Sequence, residues 1–409
     1  MVDDIYRLKQ HRVGLTNEAL VLRSVALSRR PIPRSEIAHY TGLHLATVSR
    51  ATKILIARGL ARESDPMQTP GKLGPKFIGL EMDTKTYRVI GVSVNAYEQK
   101  LSIADLSNQI LLTIDLDVPD VTDFVSVIRE ISKKITDLVD SEFIGDWKNL
   151  LGVTLAVSGV VDQRKGRVIR ARVLHWDFLD VRSELSKLIP CPISLISLPD
   201  AIHLSEQLVG VARGNHRTLL INAALGIGSS LSFDNQLVTA DPERLHLIGD
   251  VLCIRRGSDH EPMSVDMMAG GRSVIARVDG NFKRALTLTP SKASLKIKKL
   301  IQQNIRDQRH FKEFYEAGAA LGEISTVMLA AINPESMILS GPLAGVECYY
   351  KGWRESIEES FPDVNDLIHR SGIDNVSAAT FCAIEQHVLT TTDSEDAPDT
   401  SPRRFYKYG

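Results

Sequence analysis

The stretch from Arg34 to Ala61, RSEIAHYTGLHLATVSRATKILIARGLA, constrains this chain more than any other. It has room for two short helices around one glycine. Ala38 is small, as a close helix crossing requires. Gly42 falls at the turn, where a positive φ is cheap only for glycine. Val48 falls on the inner face of the second helix. The pattern predicts a helix–turn–helix, and with it contact to DNA.

The surroundings extend the motif. Thr16–Arg29 reads as a first amphipathic helix that Thr16 or Asn17 can cap, and PIP at 31–33 breaks the chain. The second helix is expected from Ser35, as cap, to about Tyr40. The third runs from after His44 to Gly59, with Leu45, Val48, Ala51, Ile54 and Leu55 as its apolar positions. Leu60–Ser64 and Lys76–Leu80 read as two strands around the turn DPMQTPGKLGP, a wing that is also a linker.

Charge agrees with this reading. Residues 1–80 hold 13 Lys and Arg against 6 Asp and Glu, a balance of +7, whereas the whole chain is −1, so the remainder carries −8. A basic head on an acidic body suits phosphate contacts; unrelated solvated charge is the alternative. In the major groove the third helix would bring its N-terminal half to the base edges. The expected DNA contacts are Arg34, His44, Thr47, Ser49, Arg50, Lys53, Lys72 and Lys76. Arg50 is the best base reader, because a guanidinium can bond guanine O6 and N7 together; a phosphate clamp or ion pair is its other role. Lys72 and Lys76 would reach an adjacent minor groove or stay in a solvated linker.

The chain is too long for one core, so two or three domains are expected. Hydrophobic content of 43% and charged content of 24% are those of a globular protein. No apolar run approaches the roughly 20 residues of a membrane helix. The start, MVDDIYRLKQHR, is polar and acidic, unlike a secretory signal. The four cysteines, Cys191, Cys253, Cys348 and Cys382, form no CxxC pair, so a cytoplasmic protein without a disulfide framework is expected.

From Tyr87 the chain reads as a β-meander, then a helix at about Val121–Val139 and a strand at 150–159. CPISLIS (191–197) leads into Asp200 and a helix. Residues 218–233 read as strand, glycine turn and strand; Ser291–Ala331 reads as mostly helical, and SMILSG (336–341) as a buried strand. The meander–helix–strand layout occurs twice.

Together these segments resemble the ROK family, named for repressors, open reading frames and kinases. The carriers are the head up to LARE, the linker GKLGPKFIGLEMD, the pair LGVTLAVSGVVD and RVLHWDF, LPDAIHLSEQLVGVARG, and NPESMILSGPLAG, in that order. The resemblance implies an α/β chain: an N-terminal winged helix–turn–helix followed by a two-lobed, actin-like (ribonuclease H-like) ATPase or sugar-kinase fold. The implied organisation is residues 1–82 for head and linker, 83–198 for the first lobe and 199–370 for the second. A C-terminal helix at 371–390 would return to the first lobe, and 391–409 would be a disordered tail.

Where the family's kinases carry a DxGGT phosphate loop, this chain has Ser93-Val94-Asn95-Ala96-Tyr97. Where they carry GTGIGAG it has Ala224-Leu225-Gly226-Ile227-Gly228-Ser229-Ser230. Asp200 matches the family's general base. Without a phosphate cradle it reads instead as a cap of a helix starting at Ala201, or as an acceptor for a ligand hydroxyl. Pro199 and Val173 replace two asparagines of the sugar site, and Leu247-Ile248-Gly249-Asp250 replaces its E-I-G-H segment. Ser158, Gly159, Trp176, Asp200, Asp250 and Asp266 are the effector-contact candidates that the resemblance leaves. Asp250 stands for the zinc-binding histidine; Cys253 alone remains of the cysteines, with Ser264 at the last position and His260 nearby, so no metal is expected.

The expectation is a cytoplasmic, DNA-binding regulator, in the repressor mould, of carbohydrate uptake or catabolism genes. It would have no catalytic residues, no cofactor and no membrane contact. Its partners would be double-stranded DNA with an inverted-repeat operator, a sugar or polyol effector, and its own copies in a homodimer or homotetramer. The alternatives are a sugar kinase with an appended head, and a body that docks a protein instead of a sugar.

Overall fold

The structure, a computed structural model, describes residues 15–28, 30–66, 77–239, 247–253 and 262–390. The described residues form two compact units, one from 15–87 with 384–390 and one from 88–383.

The first unit is a winged helix–turn–helix. Helix α1 (Asn17–Ala26) is capped by Thr16, whose hydroxyl accepts the Ala19 N–H at 3.2 Å. Pro33, not Ser35, precedes α2 (Arg34–Thr41); its φ of −70° starts the helix without a side-chain cap. Gly42 ends α2 at φ +63°, the left-handed conformation that the turn requires. Helix α3 (Leu45–Ala57) buries Val48, Ala51, Thr52 and Leu55 against α1 and α2, which contribute Leu20, Leu22 and Ile37. Leu45 and Ile54, expected inside, are 54% and 39% exposed. The second wing strand lies later than expected. Strand β1 (Ala61–Glu63) pairs antiparallel with β2 (Leu80–Met82), and Ile32 bridges the other edge of β2 at Leu80. A π-helical turn, Glu385–Leu389, completes this unit, with Val388 and Leu389 buried.

The second unit holds two five-stranded sheets with the same connectivity. In the first, β3 (Arg88–Val94), β4 (Gln99–Ala104) and β5 (Ile110–Asp115) form an antiparallel meander. Helix α4 (Phe124–Val139), capped by Asp123, leads to β6 (Leu150–Val157), parallel to β3. An insertion follows: a small sheet of β7 (Val160–Asp162), β8 (Arg167–Ala171) and β9 (Trp176–Leu179), then α5 (Val181–Ser186). Strand β10 (Ile193–Ser197) closes the sheet parallel to β6, giving the order β10-β6-β3-β4-β5.

Helix α6 (Leu198–Val209) then crosses to the second sheet. Its meander is β11 (Arg217–Ala223), β12 (Ile227–Phe233) and β13 (Gln236–Leu237). The short pair β14 (Leu252–Cys253) and β15 (Met263–Ser264) precedes five helices: α7 (Val265–Ala269), α8 (Gly271–Asp279), α9 (Phe282–Thr287), α10 (Pro290–Asp307) and α11 (Phe311–Ile332). Strand β16 (Ser336–Ser340), helix α12 (Glu347–Glu358) and β17 (Ile368–Arg370) finish the sheet in the order β13-β12-β11-β16-β17, with β16 and β17 parallel to β11. Helix α13 (Asn375–Ile384) packs on the first sheet, where the Thr380 hydroxyl meets that of Ser102. Each sheet thus reads meander, helical crossover, parallel strand, parallel strand, the duplicated layout of a two-lobed body.

Candidate functional site

In the first unit, the turn at Gly42 sets the start of α3, and His44 heads it, exposed and making no side-chain cap. No acid lies in the first turn, so the unpaired N–H groups and the positive end of the helix dipole face outward unopposed. Arg50 and Lys53 are exposed, while Thr47 and Ser49 are half-buried. Ala46, Arg50 and Lys53 follow i, i+4, i+7 spacing, one ridge opposite the buried Val48.

Four described cations of this unit are ion-paired, Arg23 with Glu385 among them. Arg30 pairs with Glu36 at 2.7 Å, Arg34 with Glu63 at 2.6 Å, and Arg62 with its cross-strand partner Glu81 at 2.8 Å. Arg34 therefore braces α2 against β1. Among the described residues, Arg50, Lys53 and Arg58 of α3 and its C-cap pair with no acid. Among the described cations of residues 15–66, those without an acidic partner thus lie on one helix and its C-cap. Lys72 and Lys76 lie outside the described residues.

In the second unit, three parallel strands end side by side, β10-β6-β3, and Asp200, Ser158 and Asn95 follow their carboxyl ends. Such ends are where ligands of α/β sheets bind. After β3, the turn that stands for the first phosphate loop is closed on itself. Asn95 Oδ1 accepts the N–H groups of Tyr97 (2.8 Å) and Glu98 (2.9 Å), and the Asn95 N–H donates to the Glu98 carbonyl at 3.2 Å. Tyr97 packs into the core, with the Lys298 ammonium 4.9 Å from its ring centre. The N–H groups of Asn95, Tyr97 and Glu98 are thus not free for a phosphate.

The second loop is closed by Asp266, at the head of α7. Its carboxylate accepts the Ile227 N–H at 2.6 Å, and the Ala224 N–H donates to the Gly226 carbonyl at 3.0 Å. Burial, with the charge of Asp250 adding to it, pushes the Asp266 pKa up to about 6; the Ile227 hydrogen bond, Arg172 and Arg272 act the other way. Asp250 is itself ion-paired with Arg172, which follows β8, so this pair links the insertion of the first sheet to the second.

Asp200 does not cap α6. The helix begins at Leu198, Ser197 is its cap and accepts the Asp200 N–H at 3.2 Å, and Asp200 occupies the third helical position. Its carboxylate accepts the Ser230 hydroxyl at 2.6 Å. Burial raises its pKa, opposed by hydrogen bonds with Ser197 and Ser230. Behind it runs a buried polar chain: Ser230 to His203 Nδ1 (2.9 Å), His203 Nε2 to Thr218 (2.5 Å), Thr218 to Ser232 (2.8 Å), and the Gln207 amide to Ser232 (2.7 Å). Burial pushes the His203 pKa down to about 4, so the ring is neutral.

Two candidates are structural. Trp176 is 1% exposed; its indole N–H donates to the Val121 carbonyl at 3.1 Å and its ring stands edge-on to Phe124. It has no free donor to offer an effector. Gly159 is fixed by packing, since a Cβ there would lie 2.6 Å from that of Ala171 and 2.7 Å from the Arg170 carbonyl oxygen. Ser158 is half-buried and its N–H donates to the Val94 carbonyl at 3.0 Å. Sequence reasoning missed Arg172 and His203, and named Ser230 only within the second phosphate-loop stretch. The signal for Arg172 was an acid, Asp250, in a position that needs a counter-charge.

A family model described as "ROK family" matches residues 89–371, and one described as "IclR helix-turn-helix domain" matches residues 15–65. A transcriptional regulator of Mycobacterium tuberculosis is 28% identical over 199 residues, 48% of this chain; the match spans only 43% of that relative's length. The N-acetylglucosamine repressor of Escherichia coli O157:H7 is 21% identical over 388 residues, covering 89% of this chain and 93% of the relative. Among solved structures, a ROK family transcriptional regulator described as a homologue of the Escherichia coli Mlc protein superposes with a TM-score of 0.70 at 16% identity, over 91% of this chain and 97% of the other. A ROK family glucokinase from Streptomyces griseus, in complex with glucose and AMPPNP, gives 0.58 at 15% identity over 73% of this chain and 99% of the other.

Proposed function

This chain belongs to the ROK family, and from that premise we propose that it is a cytoplasmic DNA-binding transcriptional regulator, a repressor of carbohydrate uptake or catabolism genes, whose kinase-like body has given up phosphoryl transfer. The observation that carries this reading is the contrast between the two units. Among the described residues 15–66, the cations without an acidic partner lie on the helix that would enter the major groove and its C-cap, Arg50 and Lys53 foremost. In the loops of the body that would cradle a phosphate, the N–H groups of Tyr97, Glu98 and Ile227 donate to Asn95 and Asp266 instead.

The roles follow from the chemistry of each group. Arg50 would read guanine, and Thr47, Ser49, Lys53 and His44 would hold the backbone of the duplex. Ser158, Asp200, Asp250 and Asp266 would accept hydroxyls of a sugar or polyol effector at the strand ends of the body. The effector can act on the heads only by binding two conformations of the body unequally. A homodimer or homotetramer would present two heads to an inverted repeat.

The test sets two assays side by side on the full-length protein: a mobility shift with the DNA upstream of its own gene, and ATP-dependent phosphorylation of a panel of hexoses. A salt-sensitive shift with no phosphorylation is expected. Turnover abolished by Asp200→Asn would overturn the reading in favour of a sugar kinase.

A further inference from the structure

The most exposed large apolar residue on the groove-entering helix has no part in the core of the head. Leu45, the first residue of α3, is 54% exposed, whereas Val48, Ala51 and Leu55 are each 1% exposed or less and fill the interior with Thr52. Ala46, beside it, is exposed and small, so the helix backbone can come close to whatever lies opposite. The neighbours outward of this pair are cationic: Arg50, one turn beyond Ala46 on the same ridge, then Lys53. A surface with this charge, headed by the positive end of a 13-residue helix, faces a polyanion.

Within such a groove an isobutyl group has few partners. It cannot bond a phosphate oxygen or the donor and acceptor edges of the bases. The apolar group on the major-groove floor is the C5-methyl of thymine. Resting on the DNA-binding reading above, we infer that Leu45 is a base-specific contact, packing on a thymine methyl in each half-site of the operator. The five residue steps from Leu45 to Arg50 rise about 7.5 Å along the helix. The thymine therefore lies within about two base-pair steps of the base that Arg50 reads. Ile54, 39% exposed, lies in the C-terminal half of α3, away from the base edges, and takes no part.

The experiment uses the full-length protein and a duplex that it selects from a random library. Each thymine of the selected site is replaced singly by deoxyuridine, which removes the methyl and nothing else. The wild type should lose about fourfold in affinity at one thymine per half-site, the worth of one buried methyl. In Leu45→Ala, whose fold is checked by its unfolding transition, that same replacement should change nothing, while replacements elsewhere act as in the wild type. Equal effects of every replacement in wild type and variant, with tight selective binding retained, would overturn the Leu45 contact and leave the regulator reading standing. Failure to select any duplex above the non-specific background would overturn both.

Discussion

Arg23 and Glu385, 362 residues apart in sequence, form an ion pair whose side chains are only 10% and 15% exposed. It ties the first helix of the DNA-reading unit to the π-helical turn near the other end of the chain. Arg23 Nε and Glu385 Oε2 are buried without a further partner. The pair is thus poorly compensated, and removing one member leaves a charge stranded.

Glu385→Ala should therefore destabilise the head by about 2–4 kcal/mol. Arg23→Ala should cost a similar amount, and the double variant less than the two together. Amide exchange resolved along the chain would measure this: faster exchange confined to α1, α2 and α3 is expected. Unchanged exchange in α1, α2 and α3, or additive single effects, would show that the pair contributes nothing special.

Asp266 makes the second unit pH-sensitive. Its pKa is raised from the ordinary carboxyl value to about 6, so folding favours its protonated form. The contribution is present at acid pH and lost as pH rises through 6. Asp266→Asn should accordingly flatten the fall in stability between pH 4 and pH 6, by an amount on the order of 1–3 kcal/mol. Arg172→Ala should raise the Asp266 titration point, because the guanidinium lowers it, and Asp250→Asn should bring it down. Unfolding transitions of the variants against pH give the measurement.

Neither phosphate loop should recover chemistry by a single change. Asn95→Gly frees the Tyr97 and Glu98 N–H groups but leaves the Ile227 N–H with Asp266. No ATP hydrolysis is expected from wild type or from this variant, and Asp200→Asn should leave both baselines unmoved. Measurable hydrolysis by the wild type would reverse the account of the body.

Much of this was legible in the residues, and the exceptions have physical causes. Gly42 and the buried Val48 place the turn and the inner face of α3, because turn conformation and helical period are local properties. The doubled meander was readable for the same reason. Leu45 and Ile54 were misplaced because periodicity alone cannot tell an apolar residue that fills a core from one left outside. Thr52, polar, took the inner place instead, its hydroxyl buried without a partner. Ser35 was displaced as a cap by Pro33, whose ring fixes φ for the helix start. The pairs Arg172–Asp250 and Arg23–Glu385 join residues far apart in sequence, which composition and spacing do not connect. Neutralisation of Arg30, Arg34 and Arg62 was hidden for that reason as well, so the charge count overstated how much of the head is free to meet phosphate.

Salt-dependent affinity tests the central claim most directly. Binding of the full-length protein to its selected duplex and to a random duplex should be measured across a range of salt, for wild type, Arg50→Ala and Lys53→Ala. Arg50→Ala should cost about 1–3 kcal/mol on the selected duplex and relax its preference at one base pair. Lys53→Ala should weaken both duplexes alike and lower the salt slope by about one. Unchanged affinity and unchanged selectivity in Arg50→Ala would contradict the assignment of α3 to the major groove, and with it the reading of this chain as a DNA-binding regulator.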